Sequence, residues 1–219
     1  MLKYNLQKIL KEIENGNNLG EQITLVGATK TMDAETINKA VELGLKVVAE
    51  NRVQEFIQKT EFIKNAQQQF IGHLQTNKVK YLVGKVSLIQ SVDSVKLALA
   101  IDERAKKLNL CQDVLIEINA GAEESKGGFS LNQTLEVVKE LSSLSNIKIK
   151  GLMAMMPKTS DTAVLIELFD KIRKQYDLLK EYGYDMQYLS MGMSGDYILA
   201  IQHGSNMIRL GRNIFGERK

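Results

Sequence analysis

Two spacings of apolar residues alternate along this chain. Short, mostly apolar runs are typical of buried strands, and apolar residues repeated every three or four positions are typical of amphipathic helices. Runs of the first kind predict eight strands, over residues 22–29, 46–50, 68–74, 86–92, 112–120, 147–157, 186–193 and 206–211. Segments of the second kind predict helices between them, over residues 33–44, 52–63, 76–84, 94–109, 130–145, 162–183 and 195–204.

The regular alternation predicts the fold class. Strands separated by helices pair in parallel through right-handed crossovers, and eight such units indicate an α/β fold, a single (β/α)8 TIM barrel. An open, doubly wound sheet is the alternative, but no G-x-G-x-x-G fingerprint follows the first strand. The 219 residues fit one domain, with the barrel over 23–216 and an extra N-terminal covering helix over 1–16.

Composition and charge narrow the classes of function. The net charge is +3, and the basic residues are interleaved with glutamates, so nucleic-acid binding is not expected. One cysteine and two histidines exclude an intrachain disulfide and make a metal site unexpected. Cys111 is expected to pack near a helix–strand junction. No apolar run reaches the length of a membrane span, so we expect a cytoplasmic protein with no membrane contact.

Lys30 lies where the first predicted strand ends, in the stretch LVGATKTM. TIM barrels place their functional residues at the carboxyl ends of the strands. A lysine in a partly apolar pocket has its ammonium form disfavoured, which leaves the amine able to form a Schiff base with an aldehyde. Aldol chemistry without a phosphate and a pyridoxal 5′-phosphate (PLP) cofactor both fit Lys30. A surface lysine that merely follows a strand is the alternative to both.

The ends of the last two strands favour PLP. Ser194 and Gly195 lie at a predicted strand-to-helix turn, where a hydroxyl and backbone N–H groups can bind an anion. Gly211 and the backbone amide of Arg212 follow the last strand. TIM barrels frequently bind phosphate with the loops after the seventh and eighth strands, and these are those two loops.

Arg209 shares a strand face with Met207 and Gly211, so its side chain is expected inside the barrel. A buried guanidinium needs hydrogen-bond acceptors. Arg209 therefore either pairs with an inward carboxylate or faces the pyridine nitrogen of PLP. In the second case the protonated guanidinium would keep that nitrogen unprotonated, and the ring would be a weak electron sink. His73 lies either near the ring or at the rim with its own partner.

Seven sequence blocks resemble, in order and spacing, those of the YggS/PROSC-type pyridoxal phosphate homeostasis proteins, also called PLP-binding proteins. The blocks are GATKTM, ENRVQE, FIGHLQTNK, ESKGGF, GLMAMMP, LSMGMSGDY and AIQHGSNMIRLGRNIFGER, and they span about residues 23–218. The resemblance implies the fold of the barrel domain of bacterial alanine racemase, in agreement with the fold that the apolar pattern predicts.

The resemblance also implies a role for seven residues in holding PLP, the one cofactor expected. Lys30 would form the Schiff base, and Arg209 would face the pyridine nitrogen. The other five are Ser194, Gly211 and Arg212 for the phosphate, and Asn51 and His73 for the surroundings of the ring. Two positions depart from the family's pattern. Thr29 stands where many members have serine, and Arg212 stands where threonine or serine is expected, which removes a hydroxyl contact to the phosphate and keeps the backbone amide.

The resemblance to a racemase raises the question of enzyme or carrier. In alanine racemases a tyrosine on the opposite face of the cofactor acts as the second base, with help from a second domain and a partner subunit. Here the predicted barrel takes up the chain, and none of the seven tyrosines is predicted to point across the pocket. We therefore assign no catalytic residue and expect PLP to be bound and handed on.

The expected protein is a monomer that buffers PLP or delivers it to apo forms of PLP enzymes, with indirect effects on amino-acid and keto-acid balance. One alternative is a genuine PLP enzyme with weak racemase or lyase activity. The other is a Schiff-base aldolase that uses no PLP.

Overall fold

Eight parallel strands close into a barrel in the computed structural model, which describes residues 1–121 and 127–216. The strands are β1 (Thr24–Ala28), β2 (Val47–Glu50), β3 (Gln67–Phe70), β4 (Leu88–Val92), β5 (Gln112–Ile118), β6 (Ile147–Ala154), β7 (Tyr188–Ser190) and β8 (Met207–Leu210). Each pairs in parallel with the next, and pairs such as Thr24 with Met207 join β1 to β8. The predicted (β/α)8 TIM barrel is confirmed, and an open sheet is excluded.

Helices surround the barrel. They are α1 (Leu2–Glu12), α2 (Ala34–Glu42), α3 (Val53–Lys59), α4 (Val95–Lys107), α5 (Thr134–Leu141), α6 (Thr162–Glu181), α7 (Tyr197–Gln202) and α8 (Arg212–Phe215), with short 3₁₀ helices at Thr60–Phe62, Thr76–Tyr81 and Leu131–Gln133. The connection from β3 to β4 is thus a 3₁₀ helix, where the sequence predicted an α-helix. Only Val79 is buried in it, so no apolar stripe supports a longer helix. None of the helices in the described ranges is long and apolar enough to cross a membrane.

The barrel interior holds two kinds of side chain. Alternate residues of each strand point inward, as the two-residue period of a strand requires. One inward-facing group is apolar and consists of Val26, Val47, Ala49, Leu88, Leu115, Met153 and Met207. Beside it lies a polar group, in which Gln90 donates to Gln69 at 2.6 Å and Ser190 donates to Gln90 at 2.7 Å. A hydrogen-bonded polar layer therefore crosses the barrel from β3 to β7.

Side chains hold the junction between β7 and β8, where the strands share a single registered residue pair. Asn206, directly before β8, accepts a hydrogen bond from the N–H of Leu189 at 2.7 Å and donates one to the carbonyl of Gln187 at 2.9 Å. The hydroxyl of Ser205 lies within hydrogen-bond distance of three backbone carbonyls. Both residues are buried. Asn and Ser side chains thus replace part of the missing main-chain ladder.

The N-terminal helix α1 packs on the outside of the barrel with the apolar face that its sequence predicts. Its buried residues Leu6 and Ile9, and Ile13 beyond its end, share a core cluster with residues of β1, β8, α2 and α8, namely Leu25, Ile208, Ile37 and Ile214. The proposed limits of 1–16 for this helix and 23–216 for the barrel stay predictions of domain organisation.

Cys111 lies immediately before β5, at the amino ends of the strands. Cys111 lies next to a strand, as expected, but it is exposed and not packed. Its Sγ lies 4.0 Å from the carbonyl oxygen of Ser145. Helix α2 begins as expected, since Asp33 accepts the N–H of Thr36 at 2.7 Å.

Candidate ligand pocket

A pocket of about 1210 Å3 opens at the carboxyl ends of the strands. Every strand, or the loop that follows it, contributes at least one residue to its lining. The lining includes all seven residues that the sequence singled out, namely Lys30, Asn51, His73, Ser194, Arg209, Gly211 and Arg212. The barrel therefore brings together residues from five different strand ends, while their roles toward a ligand stay predictions.

Lys30 occupies the second position of a tight turn between β1 and α2. The N–H of Met32 donates to the carbonyl of Thr29 at 3.0 Å, which closes the turn. Thr31 has φ 67, a left-handed conformation that β-branched residues rarely adopt. Lys30 itself is half-buried. The turn thus presents the lysine to the pocket from a strained, well-defined backbone.

Behind this turn lies a cluster of three charged side chains from β2 and α3. The ammonium of Lys59 lies 2.5 Å from Glu50 Oε1 and 3.1 Å from Glu55 Oε2. The hydroxyl of Thr29 also donates to Glu50, at 2.6 Å. We refer to Glu50, Glu55 and Lys59 as the turn-backing cluster. Its members do not appear in the described pocket lining.

Asn51 and His73 enter the pocket from neighbouring strand ends. The Oδ1 atom of Asn51 is buried and accepts no hydrogen bond from the described residues. A Cβ at Gly72 would lie 2.0 Å from the carbonyl oxygen of Asn51, so only glycine permits this close approach. The ring of His73 is exposed, and its Nδ1 lies 2.9 Å from Asp93 Oδ2. His73 therefore lines the pocket and also has a carboxylate partner.

Arg209 is buried inside the barrel, as its strand position predicted. Its guanidinium donates to the carbonyl of Ser190 at 2.8 Å, to the Ser190 hydroxyl at 2.6 Å and to the carbonyl of Ala154 at 2.9 Å. Burial lowers the pKa of Arg209 to about 10, so it remains protonated at neutral pH. Among the described residues, neutral oxygens accept its hydrogen bonds, while the charge of the inward carboxylate Glu117 acts on it as well. Arg209 also lines the pocket.

Glu117 and Asp93 also line the pocket, and neither was predicted from the sequence. Burial, together with the charge of Asp93, raises the pKa of Glu117 to about 7, against the opposing effects of Arg209 and His73. Glu117 was identifiable as a charged residue at an inward position of the otherwise apolar run VLIEI. Asp93 follows β4 directly, the same position relative to its strand that drew attention to Lys30.

The loops after β7 and β8 meet at one side of the pocket. Asn213 donates to the carbonyl of Ser194 at 3.4 Å, which connects the two loops. An added Cβ at Gly195 would meet no atom within 4 Å, so this glycine leaves space on the pocket side. Within the loop after β7, the carboxylate of Asp196 accepts the N–H of Met193 at 2.6 Å. Arg212, after β8, is exposed. The predicted anion-binding groups do lie together.

Three further statements about the pocket and its surroundings apply to the described residues alone. The block ESKGGF lies partly outside them, since the description resumes at residue 127, and Gly127 lines the pocket. The described lining contains no tyrosine. Over residues 1–121 and 127–216, no group of three or more His, Cys, Asp or Glu side chains is arranged to hold a metal ion.

Comparisons with a family model, with curated proteins and with solved structures each find proteins similar to this chain over nearly its whole length. The family model of the alanine racemase N-terminal domain matches residues 2–219. A pyridoxal phosphate homeostasis protein of Aquifex aeolicus is 44% identical over 217 residues, which cover 98% of this chain and 95% of that protein. The structure of PipY of Synechococcus elongatus PCC7942 with PLP bound superposes with a TM-score of 0.86 at 27% identity, over 99% of this chain and 100% of PipY. An alanine racemase of Clostridium difficile 630 has a TM-score of 0.85 at 19% identity over 56% of its own length, a likeness of fold alone.

Proposed function

The chain belongs to the alanine racemase N-terminal domain family and, within it, to the pyridoxal phosphate homeostasis proteins, and on this basis we propose that it binds PLP and acts in intracellular PLP homeostasis. The observation that carries the proposal is the pocket itself. The amine of Lys30, on a well-defined turn, lines this pocket at the mouth of the barrel. The glycine-bearing loops after β7 and β8 line the same pocket. PLP carries an aldehyde, which the amine would bind, and a phosphate, which the two loops would bind.

The residues present fit PLP on two further counts. Asn51 Oδ1 is a buried acceptor that accepts no hydrogen bond from the described residues, and a polar ligand can supply the missing donor. Gly195 leaves open space beside Ser194, where a side chain would obstruct an anion. The pocket exceeds the roughly 300–1,000 Å3 usual for small-ligand sites, so PLP would leave room at the mouth.

Each residue has a distinct task in this proposal. When bound, PLP supplies an aldehyde that condenses reversibly with an amine, with loss of water. Lys30 would provide that amine and would hold the cofactor as a Schiff base. Ser194 and the backbone amides of Gly211 and Arg212 bind the phosphate, and the Arg212 side chain adds positive charge. Arg209 would face the pyridine nitrogen, and Asn51 and His73 would border the ring.

The same residues favour a carrier over an enzyme. Because Arg209 stays protonated even with its pKa lowered to about 10, it would keep its proton when it faces the pyridine nitrogen, so that nitrogen would stay unprotonated and the ring would be a weak electron sink. The protein would buffer PLP or deliver it to apo forms of PLP enzymes, with indirect effects on amino-acid and keto-acid balance. A cytoplasmic monomer is part of this proposal.

A second candidate function is a PLP enzyme with weak racemase or lyase activity. It is favoured by Glu117, whose pKa of about 7 suits proton transfer, and by the nearby pair of His73 and Asp93. Deuterium exchange at Cα of candidate amino acids distinguishes the two functions. Exchange above that of a Lys30→Ala control supports the enzyme, and background exchange supports the carrier.

The main test is the absorbance spectrum of the purified protein with added PLP, before and after borohydride. We expect a visible band that disappears on reduction, and we expect it to be absent from Lys30→Ala. Lys158→Ala is the matched control, because Lys158 also lines the pocket but lies in an exposed position. A wild-type protein that stays colourless with PLP contradicts the proposal. A band that survives in Lys30→Ala and is lost in Lys158→Ala contradicts the choice of lysine.

A further inference from the structure

We propose that Glu55 and Lys59 are positioning residues that hold the turn carrying Lys30 ready for reaction with an aldehyde, and that Glu50 keeps Lys59 in place. The inference rests on the proposed function, because it concerns the amine that PLP would meet. It also gives a role to the two glutamates of the block ENRVQE, of which the pocket itself uses only Asn51.

The turn needs outside support. Thr31 has φ 67, and a β-branched residue in this conformation is strained, so the conformation persists only where surrounding contacts impose it. The side chain of Thr31 is exposed, so burial of this side chain does not fix the backbone. One hydrogen bond inside the turn, from Met32 to Thr29, is not enough to select this geometry over unstrained alternatives.

The turn-backing cluster supplies that support through hydrogen bonds to the backbone. Glu55 Oε2 accepts the N–H of the strained residue Thr31 at 2.8 Å. The ammonium of Lys59 donates to the carbonyl of Thr29 at 3.1 Å and to that of Met32 at 3.0 Å. Both ends and the strained position of the turn are therefore bonded to two side chains one helical turn apart on α3.

The charges of the cluster make it stiff. The Lys59 side chain is 12% exposed, and it pairs with Glu50, which is 3% exposed, and with Glu55, which is 19% exposed. Burial opposes ionisation of Glu55, but the hydrogen bonds from Thr31 and Lys59 outweigh it and lower the pKa of Glu55 below its usual value. A buried ammonium needs its carboxylate partners, because separating the pair would leave an uncompensated buried charge and cost much free energy.

The effect on Lys30 follows from preorganisation. A reacting group that is already held in its productive geometry loses little further conformational entropy when it reacts. The cluster lies outside the described pocket lining, so it would act through the backbone of Lys30 and not by contact with the ligand. Loss of the cluster's hydrogen bonds should thus weaken condensation at Lys30 and spare the phosphate-binding end.

The decisive variant is Glu55→Ala, since Glu55 is the most exposed member of the cluster and its loss leaves Lys59 paired with Glu50. We expect the rate of condensation with PLP, measured by the visible absorbance, to fall about tenfold. Misplacement of a reacting group lowers a reaction rate by about one to two orders of magnitude. Affinity for pyridoxamine 5′-phosphate, which has the phosphate and ring but no aldehyde, should change less than twofold. Hydrogen exchange of the Thr31 amide in the ligand-free protein should become faster.

Two further variants separate positioning from general damage. Glu55→Gln keeps an acceptor oxygen for the Thr31 N–H without the charge, and it should restore most of the condensation rate. Glu35→Ala removes an exposed carboxylate that lies near the turn in sequence and pairs with the surface residue Lys39, at 2.6 Å. It should match the wild type in all three measurements.

Three results would overturn the inference. They are an unchanged condensation rate in Glu55→Ala, an equal loss of pyridoxamine 5′-phosphate affinity, and a Glu55→Gln variant as slow as Glu55→Ala. Slower condensation with intact pyridoxamine 5′-phosphate binding supports it. Failure of the proposed function is a separate outcome, since the wild type itself would then not condense with PLP.

Discussion

Glu117 carries a carboxyl group into the barrel beside Arg209, and its ionisation is linked to stability. Its folded-state pKa of about 7 lies above the ordinary value of 4.5. Between these values the folded protein holds a proton that the unfolded chain has lost, so rising pH removes stability across this window. Each pKa unit corresponds to about 1.4 kcal/mol, which sets an upper limit of roughly 3 to 4 kcal/mol for the whole effect.

We therefore expect Glu117→Gln to be more stable than the wild type above pH 7 and equally stable near pH 4. Urea unfolding at several pH values between these limits measures the difference. Glu61→Gln is the control, because Glu61 is exposed and distant from the barrel interior. A stability difference between Glu117→Gln and wild type that does not change with pH would contradict the linkage.

Individual site residues were predictable to the extent that they follow strands. Lys30, Asn51 and Ser194 each come directly after an apolar run, so the barrel hypothesis alone brought them to one face. The partners that hold Lys30 could not be predicted in this way. Lys59 bonds to carbonyls about thirty positions earlier in the chain, and sequence spacing gives no sign of such a contact. Glu117 was missed because it lies within a strand, and candidate residues were taken only from the carboxyl ends of the strands.

The short strand β7 is the element whose pairing depends most visibly on side chains. Asn206 is 8% exposed and makes two hydrogen bonds to the β7 segment, one to the N–H of Leu189 and one to the carbonyl of Gln187. Its removal leaves the Leu189 N–H without this acceptor in a buried position, and such a loss costs about 1–3 kcal/mol. Ser190, which follows directly, also holds Arg209.

We expect Asn206→Ala to lower the free energy of unfolding by about 2 kcal/mol for this reason. Thermal and urea unfolding measure the change. Asn132→Ala, at an exposed position in a 3₁₀ helix, should change stability by less than about 0.5 kcal/mol. If the two variants are equally stable, main-chain pairing alone holds β7 to β8.

Most elements were predictable because their apolar period is long and regular, as in α4 and α6. The prediction failed at residues 76–84, where the apolar pattern is short and a 3₁₀ helix forms. It also extended the strands into the loops after them. Apolar residues such as Met155 and Met156 continue the strand pattern beyond β6, but they line the pocket and do not pair in the sheet.

The closed barrel joins all eight strands into one cooperative unit, because each strand has two neighbours and none is an edge. A ligand that bridges strand ends should therefore stabilise the entire chain. At a PLP concentration about 100 times its dissociation constant, the gain is about 2.7 kcal/mol.

Thermal unfolding should show one transition that PLP shifts upward, with the same midpoint in far-ultraviolet and near-ultraviolet circular dichroism. Lys30→Ala should show a smaller shift, because only the phosphate and ring contacts remain. Two separate transitions, of which PLP moves only one, would contradict a single cooperative barrel.

The exposed position of Cys111 has a practical consequence. It is the only thiol in the chain, and it lies before β5, at the end of the barrel opposite the pocket. A maleimide dye or a surface linker will therefore attach at one known point and leave the pocket mouth facing solution. The protein can be immobilised or labelled in a defined orientation without any engineered residue, so cofactor uptake and release can be followed on single oriented molecules.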